Sequence, residues 1–221
     1  DLSNIAALFV EPIQGEGGVH IIASEFLRAV RELCTAEGVH LVFDEIQSGM
    51  GRTGRWLACE ASRVQPDYVL LSKSLGGGLA KISSASVRAD LYVEEFSVLH
   101  TSTFAEDDFS SAVALRALEL LEEDPQIMRD CATKGDAIRS GLLRIQSEYP
   151  EIIRDVRGEG LMLAVEFRDF KRSEAPGMTA LASSDMLGFV FMGYLLHEHQ
   201  VRVAPLLSNN LVLRLEPPAC I

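Results

Sequence analysis

Residues 5–10 read Ile-Ala-Ala-Leu-Phe-Val, an unbroken apolar run one strand long, and residues 39–43 repeat the theme as Val-His-Leu-Val-Phe. A strand with no polar face belongs inside a sheet covered on both sides. The segment between them carries Phe26, Leu27, Val30, Leu33 and Cys34 at helical spacing. Ser24 is placed to cap that helix and Gly38 to stop it. Strand, helix and strand in this order form a parallel crossover unit. Tyr68–Leu71 supplies a third strand and Ile82–Val87 a fourth. The expected class is α/β, with a mainly parallel sheet and helices on both of its faces.

The second half changes character. Phe109–Glu123 has Val113, Leu115, Leu118, Leu120 and Leu121 at helical spacing, and Pro125 opens another helix to about Ser147. Strands are expected at Ile152–Arg157 and Leu161–Phe167, a helix from about Ser184 to Glu198, and closing strands at Val201–Val203 and Leu211–Leu215. This predicts a large domain over residues 1–108, linking helices over 109–150 and a small α+β domain over 151–221. At 221 residues, one large domain or one and a half fit. The chain opens directly on a core strand and ends at Pro217-Pro218-Ala219-Cys220-Ile221. That suggests a piece of a longer protein.

Composition removes several function classes. Twenty Lys and Arg against 32 Asp and Glu leave a net charge of −12, which disfavours a phosphate-backbone ligand, so no nucleic-acid partner is expected. The longest apolar stretch, Met186–Leu196, falls short of the roughly 20 residues a membrane span needs and reads as a buried helix. No membrane partner is expected. Cys34, Cys59, Cys131 and Cys220 form no CxxC pair, no leader segment is visible, and reduced thiols in a cytoplasmic protein are the expectation.

In open parallel sheets ligands bind beyond the carboxyl ends of the strands. The first strand delivers Glu11-Pro-Ile-Gln-Gly-Glu16-Gly-Gly, the second Asp44-Glu45-Ile46-Gln47, the third Ser72-Lys73-Ser74-Leu75-Gly76-Gly77-Gly78. Asp44 and Ile46 would share a side in extended chain, and an acid beside an apolar side chain suits a flat cationic heteroaromatic ring. Most lysines are solvated surface residues. Lys73, between an apolar strand and three glycines, is instead placed to serve as a Schiff-base amine. A pyridoxal 5'-phosphate (PLP) site pairs such a lysine with a carboxylate for the pyridine nitrogen.

Competing motifs are weaker. Gly49-Met-Gly51-Arg-Thr-Gly54 matches the dinucleotide pattern G-x-G-x-x-G. Five residues separate it from its strand, and Asp67, the acid to consider about 20 positions on, lies at the wrong end of the next strand, so a structural glycine turn is the better reading. His197-Glu-His199 is two apart, and two such side chains on a helix do not face together; a solvated helix end is expected and no metal. His100 beside Thr101-Ser-Thr103 reads as a loop with a capping role. Glu119, Glu122, Glu123 and Asp124 read as a charged helix end.

With these residues in view, the chain resembles the class III aminotransferases, PLP-dependent enzymes of fold type I. The carrying stretches are FVEPIQGEGG (9–18), LVFDEIQSGMGRTG (41–54), LSKSLGGG (71–78), HTSTFAED (100–107), VRGEGLMLAVE (156–166) and LVLRLEPP (211–218). They follow the family's order across nearly the whole chain. The resemblance implies that Lys73 forms the internal aldimine with PLP and shuttles the substrate proton, while Asp44 pairs with the pyridine nitrogen. Ile46 would pack on the ring and Gln47 hydrogen-bond its phenolate. Thr103 would reach the phosphate of the neighbouring subunit's cofactor, which implies a homodimer with shared sites. Arg214 would bind a substrate carboxylate, with Glu16 as the switch residue that pairs with it otherwise. Glutamate and 2-oxoglutarate are then one expected half-reaction pair, and an amine or amino acid, a terminal or ω-amine among them, the other.

The departures from the family pattern are Ala105-Glu106-Asp107-Asp108 where Gly-Gly-Asn-Pro is usual, Thr101 for a common glycine, and Glu159 for a usually basic residue. The family's front half, with its phosphate-cradling loop, would precede Asp1. Alternatives to an aminotransferase are a PLP aminomutase, a decarboxylating aminotransferase, a nicotinamide oxidoreductase, and a non-catalytic truncated module of a larger protein.

Overall fold

The computed structural model describes residues 4–99 and 102–221. In chain order the elements are β1 (Ala7–Val10), β2 (Ile13–Gln14), β3 (His20–Ile21), α1 (Ser24–Glu37), β4 (His40–Asp44), β5 (Tyr68–Leu71), β6 (Ser84–Val87), α2 (Glu94–Leu99), α3 (Asp108–Glu123) and α4 (Gln126–Glu148). They continue with β7 (Ile153–Glu159), β8 (Met162–Phe167), α5 (Pro176–Ser183), α6 (Leu187–His199), β9 (Ala204–Pro205) and β10 (Val212–Leu215). The chain divides into two compact units: residues 1–12 with 22–128, and residues 13–21 with 129–221.

The first unit is built on a four-stranded sheet in the order β1-β4-β5-β6. β1 with β4 and β4 with β5 run parallel, and β6 adds an antiparallel edge. α1 buries Leu27, Val30 and Cys34 against Leu41 and Phe43 of β4, with Cys59 and Val64 completing the cluster. Each such large aliphatic side chain contributes roughly 1.5–3 kcal/mol on burial. Gly38 ends α1 at φ 67°, its N–H bonded to the Cys34 carbonyl, as a left-handed glycine stop requires.

Three details of this unit correct the sequence expectations. Ala23, not Ser24, is the N-cap residue, and no side chain caps the helix. Phe26 and Leu33 fall on the exposed side of α1. Among the described residues β1 stands at the edge of its sheet, beside β4, and Leu8 and Phe9 are exposed instead of buried on both faces.

Asp67, just before β5, is buried and held by three donors. Arg31 Nη1 donates to it at 2.7 Å, Arg88 Nη1 at 2.9 Å and the Leu41 N–H at 2.7 Å. Burial pushes its carboxyl up, but the bonds from Arg31 and Leu41 and the charges of Arg31 and Arg88 outweigh that and leave it below the usual carboxylate range. This cluster ties α1, β4 and β6 to the start of β5.

The second unit carries an antiparallel sheet in the order β7-β8-β10-β9 and the small β2–β3 hairpin. Leu142 of α4 packs on Ile153, Val156 and Val165. α4 approaches the β7–β8 turn closely: a Cβ on Gly135 would lie 2.1 Å from the Gly160 carbonyl oxygen. α5 was not expected, and α6 starts three residues later than Ser184. Val201–Val203 is not a strand; Ala204–Pro205 pairs with β10 instead. α6 is apolar around its whole circumference, yet only Leu187 and Gly188 are buried. Met186, Phe189, Val190, Tyr194 and Leu196 are exposed, so the expectation of a buried helix fails. Among the described residues, no single helix is long and apolar enough to cross a membrane.

Candidate active site

The register of the parallel sheet sets Asp44 of β4 opposite Leu70 of β5, so the two strands finish side by side. What each delivers next therefore meets on one edge. Lys73 Nζ donates a hydrogen bond to Gln47 Oε1 at 2.9 Å across 26 residues of chain. Asp44 Oδ1 accepts the Ile46 N–H at 3.0 Å, which turns the chain immediately. The strand ends at Asp44, so the extended-chain argument for Asp44 and Ile46 does not apply; the Asx turn orients the carboxylate instead.

Lys73 sits in a strained position. Its φ is 46°, in the left-handed region that side chains other than glycine, asparagine and aspartate rarely adopt. It opens a 3-10 turn, Lys73–Gly76, whose Leu75 is buried against Met50 and Ala114. Ser72 Oγ donates to the Ile82 carbonyl at 2.8 Å, and Gly77 and Gly78 follow at φ 59° and 76°. Packing of Leu75 and the Ser72 hydrogen bond hold the backbone around Lys73 in this sparsely populated region.

Sequence reasoning missed Glu45. It is 1% exposed, yet its carboxylate is fully engaged. Ser48 Oγ donates to Oε2 at 2.5 Å, the Ala58 N–H to Oε2 at 3.0 Å and the Cys59 N–H to Oε1 at 2.8 Å. Glu45 thus pins the loop that carries Ile46 and Gln47 onto the turn at residues 58–62. Burial first, and then the Glu45 charge, push the Cys59 thiol up, so it stays protonated. Nothing in the residue pattern separates this buried acid from the solvated acids around it.

Gly49–Gly54 is a closed turn. The Met50 N–H bonds to the Trp56 carbonyl at 2.8 Å and the Gly51 N–H to the Arg55 carbonyl at 3.1 Å. Gly51 and Gly54 take φ 82° and 88°. No α-helix opens after these glycines, as a dinucleotide loop would need.

Thr103 lies exposed in a turn before α3. The unusual acids after it have a structural use, since Asp107 caps α3 by accepting the Ser110 N–H at 2.8 Å. Those bonds from Ser110 hold its carboxyl below the usual range. His100 and Thr101 lie outside the described residues. Arg116 pairs with Glu119 and Glu123, each at 3.0 Å, in keeping with a charged helix end. His197 and His199 stand in the last turn of α6. Among the described residues, no three His, Cys, Asp or Glu gather as a metal set. Cys34, Cys59 and Cys131 are buried free thiols and Cys220 is an exposed one.

In the second unit Arg214 Nη1 donates to Glu16 Oε1, pairing the two residues expected to act as carboxylate ligand and switch. The turn bearing Glu16 is fastened at its backbone. Ser208 Oγ donates to the Glu16 carbonyl, and Arg157 Nε donates to the Gly18 carbonyl at 2.7 Å. Arg157 is itself held by Glu166, Nη1 to Oε2 at 2.6 Å.

The residues present suit PLP. An exposed primary amine, an amide in contact with it and an oriented, half-buried carboxylate on adjacent strand ends are the donor set that a phenolate, an aldehyde and a pyridine nitrogen call for.

Comparison with known proteins agrees. Residues 2–210 match the family model for class III aminotransferases. The ornithine aminotransferase of Toxoplasma gondii, which holds PLP at partial occupancy in its active site, is 35% identical with a TM-score of 0.82; the match covers 99% of this chain and 48% of that one. A transaminase from the marine bacterium Virgibacillus is 30% identical with a TM-score of 0.85, over 98% of this chain and 49% of that one. The acetylornithine aminotransferase of Elizabethkingia anophelis is 32% identical with a TM-score of 0.79, over 99% and 50%. The chain therefore spans about half the length of the solved structures it matches. The sheet, the lysine turn and these matches together make the chain a member of the class III aminotransferase family.

Proposed function

We propose that this chain is part of a PLP-dependent aminotransferase that moves an amino group between an amine or amino acid and an oxo acid such as 2-oxoglutarate. The observation that carries the reading is the Lys73–Gln47 contact at the ends of two adjacent parallel strands, in a chain of this family. When bound, PLP supplies an electron sink for the carbanion that forms when the substrate amine carbon loses its proton.

The chain's own residues do the rest. Lys73 would hold the cofactor through Nζ and would serve as the base that takes the proton from the substrate's amine carbon. Its contact with Gln47 keeps the amine aimed at the edge shared by β4 and β5. The Asp44 carboxylate, oriented by the Ile46 N–H, keeps the pyridine nitrogen protonated. Ile46 would pack on the ring. Arg214 takes the carboxylate of the oxo acid through its guanidinium fork, and Glu16 occupies that fork when the other substrate has no carboxylate there. Thr103 contacts the phosphate of the cofactor in a second subunit, so the assembly is a homodimer, and it works in the cytoplasm.

The test is a transamination assay on the full-length protein with a panel of amines and 2-oxoglutarate. Parallel-line kinetics and loss of turnover in Lys73→Ala support the reading. A full-length protein that transfers no amino group, or one whose Lys73→Ala variant turns over normally, overturns it. The same panel separates aminomutase and decarboxylating chemistry by product.

A further inference from the structure

Arg214 faces a second acid that no role above uses. Glu216 Oε2 lies 3.4 Å from Arg214 Nε, while Glu16 holds Nη1. Arg214 is the third residue of β10, and Glu216 follows the strand's last residue, Leu215. The two acids differ in freedom. The Glu16 side chain is 64% exposed on a turn whose backbone is fastened by Ser208 and Arg157. Glu216 is 23% exposed and is followed by Pro217-Pro218, which stiffen the backbone there. Glu16, the more exposed of the two, can leave the arginine by side-chain rotation alone, while Glu216 is the more enclosed.

The geometry points to Glu216 as a specificity-determining residue, a resident carboxylate on Arg214 that weakens the arginine's hold on the carboxylate of an oxo acid. This deepens the reading of Arg214 and Glu16 given above and rests on it. With Glu16 in place, one guanidinium and two carboxylates leave the cluster with one net negative charge. With Glu16 swung away, an incoming carboxylate takes the Nη1 and Nη2 end of the fork. It then meets a guanidinium already neutralised at Nε, not an unpaired cation. The carboxylate of an oxo acid feels that opposition; an amine substrate with no carboxylate does not.

The experiment compares KM for 2-oxoglutarate and kcat/KM for a carboxylate-free amine in the full-length enzyme with PLP and in Glu216→Gln, Glu216→Ala, Glu16→Gln and Arg214→Gln, each checked for fold by circular dichroism. Removing the charge at 216 in either way lowers KM for 2-oxoglutarate by roughly 2- to 5-fold, the scale of one partly exposed ion pair, and leaves kcat/KM for the amine unaltered. An unchanged or raised KM for 2-oxoglutarate in Glu216→Gln overturns the inference. If Arg214→Gln leaves the KM for 2-oxoglutarate unchanged, the reading of Arg214 fails first. If Arg214→Gln raises it and Glu16→Gln lowers it while both Glu216 variants do nothing, the inference on Glu216 fails alone.

Discussion

Two glycines in α4 should respond to the same substitution with opposite signs. Gly135 faces the β7–β8 turn so closely that an alanine Cβ would lie 2.1 Å from the Gly160 oxygen, 2.3 Å from its carbonyl carbon and 2.6 Å from its Cα. All three atoms are backbone, so no rotamer relieves the overlap, and helix and turn must part by about 1 Å. Overpacking of this kind costs about 1–3 kcal/mol and more where backbone must shift. Gly160 itself sits at φ 55°, so the turn has little freedom to give. Against this, glycine to alanine inside a helix gains about 1 kcal/mol. The clash wins, and Gly135→Ala should be destabilised by about 1–2 kcal/mol. Gly141, in the same helix, has nothing within 4 Å of a built Cβ. Gly141→Ala should gain about 0.5–1 kcal/mol. Urea unfolding of both variants, followed by circular dichroism, reads the difference. A Gly135→Ala protein as stable as wild type would refute the close approach of α4 to this turn.

Asp67→Asn should cost about 3 kcal/mol at pH 7, since it leaves Arg31 and Arg88 without their buried partner. Because the folded carboxyl titrates below its unfolded value, its contribution is complete above the unfolded pKa, near 4, and is lost as pH falls through the folded value. The stability gap between wild type and Asp67→Asn should therefore close below about pH 4, and a gap independent of pH would contradict the assignment. Glu45→Gln offers one acceptor where three donors converge and sets an amide N–H against a backbone N–H. A loss of about 2–4 kcal/mol is expected, with weaker PLP binding as the Gln47 loop loosens, both read by thermal melts with and without cofactor. An unaffected melting temperature would dismiss Glu45 as the anchor of that loop.

The outline of the fold was legible wherever apolar periodicity was local. The runs at Val39–Phe43 and Tyr68–Leu71 and the stop at Gly38 needed only their own neighbours to be read. Expectations failed where burial depends on what lies across space. Ile5–Val10 has the composition of an interior strand but stands at the sheet edge. Met186–Leu196 has that of a core helix but exposes most of its apolar side chains. At the site, Lys73 and Gln47 lie 26 residues apart, and the glycines and short strands around them were enough to suggest that they meet. Glu45 and Glu216 could not be found that way. Each sits one or two residues from a more obvious candidate, and its importance comes from partners that only the folded chain supplies.

The central claim is that Lys73 is the cofactor lysine. The chain has four lysines, Lys73, Lys81, Lys134 and Lys171. The full-length protein, loaded with PLP, reduced with borohydride and digested, would be mapped by mass spectrometry for the pyridoxyl group. The account predicts stoichiometric label on Lys73 and none in Lys73→Ala. Stoichiometric label on another lysine with Lys73 unmodified would contradict it.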